Sequence, residues 1–212
     1  FLTIFKNSGY NVVFNSNQFV PELNVDCWNA SCGFFYHPDI RAHLFSYTNT
    51  KKYEFDEDLI KAYTKQRDKA EKEAMNLIIH HLFGQHVNPL HRYPPSHSHF
   101  SYKDYPERKE LSKEEKEYVA AYDNATRYND SVVSMIIDLY KEKDAVIIYF
   151  ADHGDEANDY RIHQGRSRGM EKLGAPCLHC QLDIPFFIYT SNSFSQKHPQ
   201  TTKRISEAIH RP

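Results

Sequence analysis

A carboxylate and an imidazole stand side by side at Asp152-His153, followed by Gly154, directly behind the apolar run Ala145-Val146-Ile147-Ile148-Tyr149-Phe150. A hard carboxylate oxygen beside a neutral imidazole nitrogen suits zinc or a similar divalent ion. The apolar run reads as a buried strand, and the carboxyl end of a strand is where open α/β sheets place ligand chemistry. A glycine there lets the chain turn sharply and keeps an ion approachable. Three further residues carry candidate chemistry: His86, just past a second apolar run at 76–83; His163, in the loop leaving the strand before Asp152; and Arg166, three residues beyond His163 and next to Gly165. If the strands at 76–83 and 145–150 run parallel in one sheet, His86 and Asp152 share a crevice. A metal, several imidazoles and a guanidinium suit a phosphate or sulfate ester, whose charge must be neutralised as its oxygen leaves.

Plainer roles compete for these residue types. A strand-end Asp-His pair also makes an ordinary hydrogen-bonded turn. His97, His99 and His198 lie in polar stretches and are expected to be solvated, while His80 and His81 alternate on a strand, so one of them should be a core histidine. Arg166 alone could pair with a surface acid. Asp155 and Glu156 read as a solvated helix start rather than as ligands.

The elements that position these residues follow from patterning. Leu2–Ser8 reads as a helix ended by Gly9, and Tyr10–Phe14 as a strand. Residues 56–72 have helical spacing, and 76–83 is a buried strand. Gln85–Lys109 is a long loop rich in Pro, His and Tyr, of the kind that is more often functional than idle. Ser112 and Glu115 have capping-box spacing, opening a helix whose stripe (Tyr118, Tyr122, Ala125, Val132, Ile136, Leu139) runs toward Lys143. After the 145–150 strand and a Gly- and Arg-rich loop, Ile184–Tyr189 is a strand with Pro185 at its entrance, and Thr201–His210 a last helix. Strands alternating with helices predict an α/β fold with a mainly parallel sheet covered on both faces.

Composition sets limits. With 212 residues the chain can form one domain with a substantial core. A net charge of −2 makes the electrostatic case for nucleic acid weak. No run approaches the roughly 20 apolar residues of a membrane span, and no signal peptide is visible. The chain opens at Phe1 inside a helical pattern, without an initiator Met, which reads as a piece of a longer protein whose membrane anchor, if any, lies upstream. Its four cysteines form two close pairs, Cys27/Cys32 and Cys177/Cys180. Local pairs favour disulfides and an oxidising compartment. Three connectivities stay open, with a Cys-x-x-Cys metal site or free thiols as the rival reading.

Several segments, in order, resemble one family. Ile147–Glu156 resembles the S/A-D-H-G-E element of the alkaline phosphatase and sulfatase superfamily. More narrowly, Ser8-Gly9-Tyr10 with Asn15-Ser16-Asn17-Gln18, His81–His86 with Arg92-Tyr93-Pro94, Tyr122-Asp123-Asn124-Ala125 with Tyr128-Asn129-Asp130, and Asp183–Phe187 are similar to elements of the lipopolysaccharide phosphoethanolamine transferases. The resemblance implies a three-layer αβα, alkaline-phosphatase/sulfatase-like fold, incomplete at its N-terminus, with residues 1–212 forming the C-terminal portion of a single catalytic domain. It implies zinc as cofactor, one catalytic ion and room for a second. Asp152 and His153 would be metal ligands, His86 and His163 would stand near the transferred phosphoryl group, Asn124 and Arg166 would bind substrate, and Cys27 and Cys32 would form a disulfide.

The implied setting is the bacterial periplasm, with the domain tethered to the inner membrane by an N-terminal region. The implied reaction moves phosphoethanolamine from phosphatidylethanolamine, through a Thr-bound intermediate, to lipid A or a core sugar of lipopolysaccharide. The Asp152-to-His163 spacing and the Gly165-Arg166 pair lean toward a core sugar. The family's Thr and its acidic metal ligand lie N-terminal to the segments found here. The chain alone is therefore expected to be inactive, with part of a zinc shell and open sheet edges that invite self-association. The Cys177/Cys180 pair is not in the family pattern; a second disulfide is the preferred reading there. The competing functions are a sulfatase or phosphodiesterase that hydrolyses its ester, and a non-catalytic binding domain of the same fold.

Overall fold

A computed structural model describes residues 1–18, 42–86, 88–160, 163–166 and 174–208. The chain forms two compact units, Phe1–His86 and Val87–Pro212.

The first unit is built on strand β1, Asn11–Ser16, every residue of which is buried. It is flanked in parallel by β2 (Tyr47–Thr48) and β3 (Asn76–His81), in the order β2-β1-β3, with Val13 opposite both Tyr47 and Ile78. Successive side chains of a strand point to opposite faces, and β1 uses both. Val12 and Phe14 pack with Leu44 and Phe45 and with Leu2 and Phe5 of helix α1 (Leu2–Asn7). Val13 packs with Tyr63 and Ala70 of helix α2 (Asp56–Ala70) on the other side. A parallel sheet sandwiched between helices is the predicted α/β layering. Gly9, at φ +86°, ends α1 in the left-handed conformation that favours glycine.

Buried polar side chains tie the carboxyl ends of these strands. Asp56 is 5% exposed. Its carboxylate accepts hydrogen bonds from the Asn17 side chain (2.9 Å) and from the backbone N–H groups of Phe83 (3.1 Å) and Gly84 (3.0 Å). Of His80 and His81, both half-buried on β3, His80 is the one packed against the core side chain Tyr63. The His80 ring stands edge-on to Tyr63 and its Nδ1 lies 3.2 Å from the Asn15 amide. Burial, with the nearby Arg67 charge, lowers its pKa to about 4, so the ring is neutral.

The second unit is organised by helix α3, Lys113–Tyr140, opened by the predicted capping box between Ser112 and Glu115. The long loop before it is not featureless: single 3₁₀ turns at Pro89–His91, Pro95–His97 and Tyr102–Asp104 fold it back on itself. Strand β4 (Val146–Phe150) pairs with β7 (Phe186–Thr190), and the pairing is antiparallel, with Ile148 opposite Ile188. The prediction of parallel strands holds for the first unit and fails for this pair. The chain between them turns back through the short ribbon β5–β6 (Glu156–Ala157, Gln164–Gly165) and helix α4 (Ala175–Leu182), and so enters β7 at the end where it left β4. Nor is β4 buried on both faces. Tyr149 turns toward α3 and its hydroxyl accepts from Asn129 at 2.7 Å. Val146, Ile148 and Phe150 are 38%, 56% and 61% exposed.

Beyond β7, helix α5 (Asn192–Lys197) leads into α6 (Pro199–Ala208), which begins two residues before the predicted Thr201, with proline as its first residue. The preferred disulfide in this unit is also corrected: Cys177 and Cys180 are free thiols. Both sit on the first turns of α4, at i and i+3. Cys27 and Cys32 lie outside the described residues. Among the described residues, no helix is long and apolar enough to cross a membrane.

Candidate metal-binding turn

The chain leaves β4 through Asp152-His153-Gly154, and the turn is shaped by one hydrogen bond. His153 Nδ1 lies 2.9 Å from the Gly154 carbonyl oxygen. A carbonyl can only accept, so Nδ1 is the donor in this bond, which in the neutral imidazole leaves the lone pair on Nε2. That Nε2 stands 3.7 Å from Oδ2 of Asp152, whose side chain is 91% exposed. Two ligands of one tetrahedral zinc, each about 2.0–2.1 Å from the ion, stand roughly 3.3–3.4 Å apart. With the imidazole neutral, the Asp152 carboxylate and the Nε2 lone pair face each other at nearly that spacing, an arrangement that suits a divalent cation. The residues present therefore fit zinc as half of a site. Among the described residues, no three His, Cys, Asp or Glu side chains come together as a metal group.

The other side of the imidazole faces Asp155, whose Oδ1 is 3.7 Å from His153 Nδ1 and whose side chain is only 13% exposed. Asp155 also faces the phenols of Tyr118 and Tyr122 on α3. Burial, and then the Asp155 charge, raise both pKa values, that of Tyr122 to about 12. The expected solvated helix start at Asp155-Glu156 does not form. Glu156 is completely buried in β5. The short ribbon leaves no exposed helical turn for these acids.

Gly154 is needed for a reason that local sequence does not show. Its N–H donates to the Gln181 carbonyl at 3.0 Å. A Cβ placed on it would lie 2.1 Å from the Cys180 carbonyl oxygen. The turn is seated directly on the carboxyl end of α4, and only a residue without a side chain fits. The signals for α4 were Gly174 before Pro176, a glycine N-cap and an early-helix proline.

His163 returns to the same region through the backbone. Asn158, in the left-handed conformation at φ 61°, donates its N–H to the His163 carbonyl at 2.9 Å. The Asn158 carbonyl accepts from the Arg108 guanidinium, and its side chain donates to the Glu115 carbonyl at 3.3 Å. The His163 side chain is half-buried and Arg166 is exposed. His86 belongs to the first unit, where it is exposed and its ring lies 6.4 Å from that of Phe83. Asn124 is 1% exposed and its amide is fully used as a strut. Its Oδ1 accepts the N–H groups of His99 (2.7 Å) and Phe100 (2.8 Å), and its Nδ2 donates to the Phe100 carbonyl and the Tyr93 hydroxyl.

These features carry a family signature. The sulfatase family model matches residues 1–210. The chain belongs to the sulfatase family. Among characterised relatives of this sulfatase-family chain, phosphoethanolamine transferase EptC of Escherichia coli K12 is 29% identical over 203 residues, which cover 94% of the chain and 33% of EptC. Phosphoethanolamine transferase EptA of Helicobacter pylori is 32% identical over 139 residues, 63% of the chain and 25% of EptA. The zinc complex of the C-terminal periplasmic domain of E. coli EptC superposes with a TM-score of 0.70 at 26% identity, covering 93% of this chain and 54% of that one. The periplasmic domain of Campylobacter jejuni EptC shares the fold, with a TM-score of 0.62 at 18% identity. The sulfatase-family chain thus has the alkaline-phosphatase/sulfatase α/β fold. It spans about a third of the length of EptC and about half of the solved domain.

Proposed function

We propose that this chain is the C-terminal part of a single catalytic domain in a zinc-dependent phosphoethanolamine transferase, which moves phosphoethanolamine from phosphatidylethanolamine to lipid A or a core sugar of lipopolysaccharide. The observation that carries the reading is the facing pair Asp152 Oδ2 and His153 Nε2, 3.7 Å apart, in a chain similar to EptC along 94% of its length. Asp152 and His153 would hold zinc, which when bound neutralises phosphoryl oxygens and activates a hydroxyl nucleophile.

This chain's own residues do the rest. The Gly154 carbonyl fixes the His153 tautomer, and Asp155 backs the ring from the same side. His163 would donate to the phosphoryl oxygens and handle the proton of the attacking or leaving hydroxyl, the role that the family resemblance also gives His86. Arg166 offers a planar, permanently charged guanidinium to the phosphate. Asn124 acts on substrate indirectly, by holding the 93–100 loop in place. The hydroxyl nucleophile and the further acidic ligand that the family pattern calls for are not among the residues assigned here. The periplasmic setting printed for the EptC domains, with the inner-membrane tether that the family resemblance implies, extends to this chain within the same proposal.

The test is lipid mass spectrometry on bacteria that lack their own transferases and express the complete gene product. Lipopolysaccharide should gain phosphoethanolamine with the unaltered protein and not with Asp152→Ala. Undiminished modification by Asp152→Ala would overturn the assignment, and release of free phosphoethanolamine without transfer would make the protein a hydrolase.

A further inference from the structure

A groove in the first unit is lined by none of the site residues assigned above. It runs between the edge strand β2 and helix α2, with a volume of 840 Å³, within the size range of small-ligand sites. Lys61, Lys65 and Lys69 line one wall. They stand at i, i+4 and i+8 on α2, one above the other on a single helix flank, and all three are exposed. Like charges at this spacing work against the helix. Lys61 is offset by Glu57 at 2.6 Å. Lys65 and Lys69 have no acidic partner among the described residues. Lys51 faces them from the opposite wall, its ammonium 5.0 Å from the centre of the Tyr53 ring. The lining thus sets four lysines against one carboxylate, Asp58, in a chain whose net charge is −2.

The opposite wall is rigid. Asn49 is buried and clamps the end of β1, accepting the Ser16 N–H at 2.7 Å and donating to the carbonyls of Ser16 (2.8 Å) and Lys51 (2.9 Å). Asn17, completely buried, accepts the Tyr53 N–H at 2.8 Å. The backbone at Lys51 and Tyr53 is therefore fixed before any ligand arrives, which lowers part of the ordering cost of binding. Tyr47 and Tyr53 present half-buried rings, and Thr48 and Thr50 add hydroxyls. Ammonium groups recognise phosphate as point charges. Aromatic faces cover the C–H surface of a sugar ring, and hydroxyls and a carboxylate bind sugar hydroxyls.

We propose that this groove binds a phosphorylated sugar through Lys51, Lys65 and Lys69, with Tyr47 and Tyr53 against the ring. The assignment rests on the transferase reading in one respect, that such a sugar is the acceptor end of the reaction. Binding itself can be tested without metal or turnover.

The experiment is isothermal titration of the metal-free complete gene product with glucosamine 1-phosphate, alongside inorganic phosphate, glucosamine and O-phosphoethanolamine. The expected order is glucosamine 1-phosphate tightest, phosphate and phosphoethanolamine weaker, and glucosamine weakest. The double variant K65E/K69E should weaken sugar-phosphate binding about tenfold or more while melting at an unchanged temperature. Absence of glucosamine 1-phosphate binding at millimolar concentration, or binding indifferent to K65E/K69E, overturns the site. Equal binding of inorganic phosphate removes the sugar from the assignment, and equal or tighter binding of phosphoethanolamine gives the groove to a headgroup instead. A transferase shown active in cells but with no sugar phosphate in the groove would sink this inference alone.

Discussion

The Gly154 N–H donates to the Gln181 carbonyl at 3.0 Å, and this bond fastens the 152–154 turn to the end of the helix Ala175–Leu182. Gly154→Ala places a methyl group 2.1 Å from the Cys180 carbonyl oxygen, a contact that backbone must relieve. The expected cost is about 1–3 kcal/mol of stability, with loss of zinc affinity because Asp152 and His153 move with the turn. Thermal melts and zinc titration check both. An unchanged melt would show that the turn is not seated on α4.

Asp56 carries a different load. Its carboxylate satisfies three donors at the carboxyl ends of β1 and β3. Asp56→Ala leaves them unsatisfied in a buried setting and should cost about 2–4 kcal/mol in urea unfolding. Asp56→Asn, which keeps acceptor capacity on one oxygen, should cost less. Equal losses in the two variants would argue that charge rather than hydrogen bonding is what the site needs.

His80 predicts a pH dependence. Its folded pKa is about 4, against 6.5 for an unperturbed imidazole. Between those values the unfolded chain binds the proton and the folded chain does not, so stability rises with pH across that window and is flat above it. Acidification from pH 6.5 to 4 should remove about 3 kcal/mol at most through this residue. His80→Gln should flatten that part of the stability profile. A variant that loses stability as steeply as the parent would place the acid sensitivity elsewhere.

The open face of β4 and β7 is an association liability. Ile148, Phe150 and Phe186 are 56%, 61% and 60% exposed, and pairing puts them on one side of the sheet. Contiguous apolar surface of this kind drives association in water. The isolated chain should sediment as more than a monomer, and Ile148→Thr with Phe150→Thr should shift it toward the monomer. A monomeric parent would show that the exposed face does not drive self-association.

How much of this could be read in the sequence follows from the range of each interaction. The capping box at Ser112 and Glu115 and the glycine stop at Gly9 are local devices, and both appear where the residues put them. The two-sided apolar pattern of β1 marks a strand covered on both faces, as the packing of Val12 and Val13 shows. The β4–β7 pairing is antiparallel because of the route taken by the chain between them, which no periodicity within either strand records. Glu156 reads as solvent-facing because carboxylates usually are; its complete burial depends on neighbours far along the chain. In the candidate site, Asp152 and His153 stand out by residue type and spacing. The tautomer that makes Nε2 the donor, the Asp155 carboxylate behind the ring and the α4 seat under Gly154 are all set by three-dimensional contact.

The central claim is that Asp152 and His153 share one zinc, and anomalous diffraction at the zinc edge from crystals of the complete protein tests it most directly. An ion about 2.0–2.2 Å from both the Asp152 carboxylate and His153 Nε2 is the predicted result. Zinc held elsewhere, or bound to His153 through Nδ1, would contradict it.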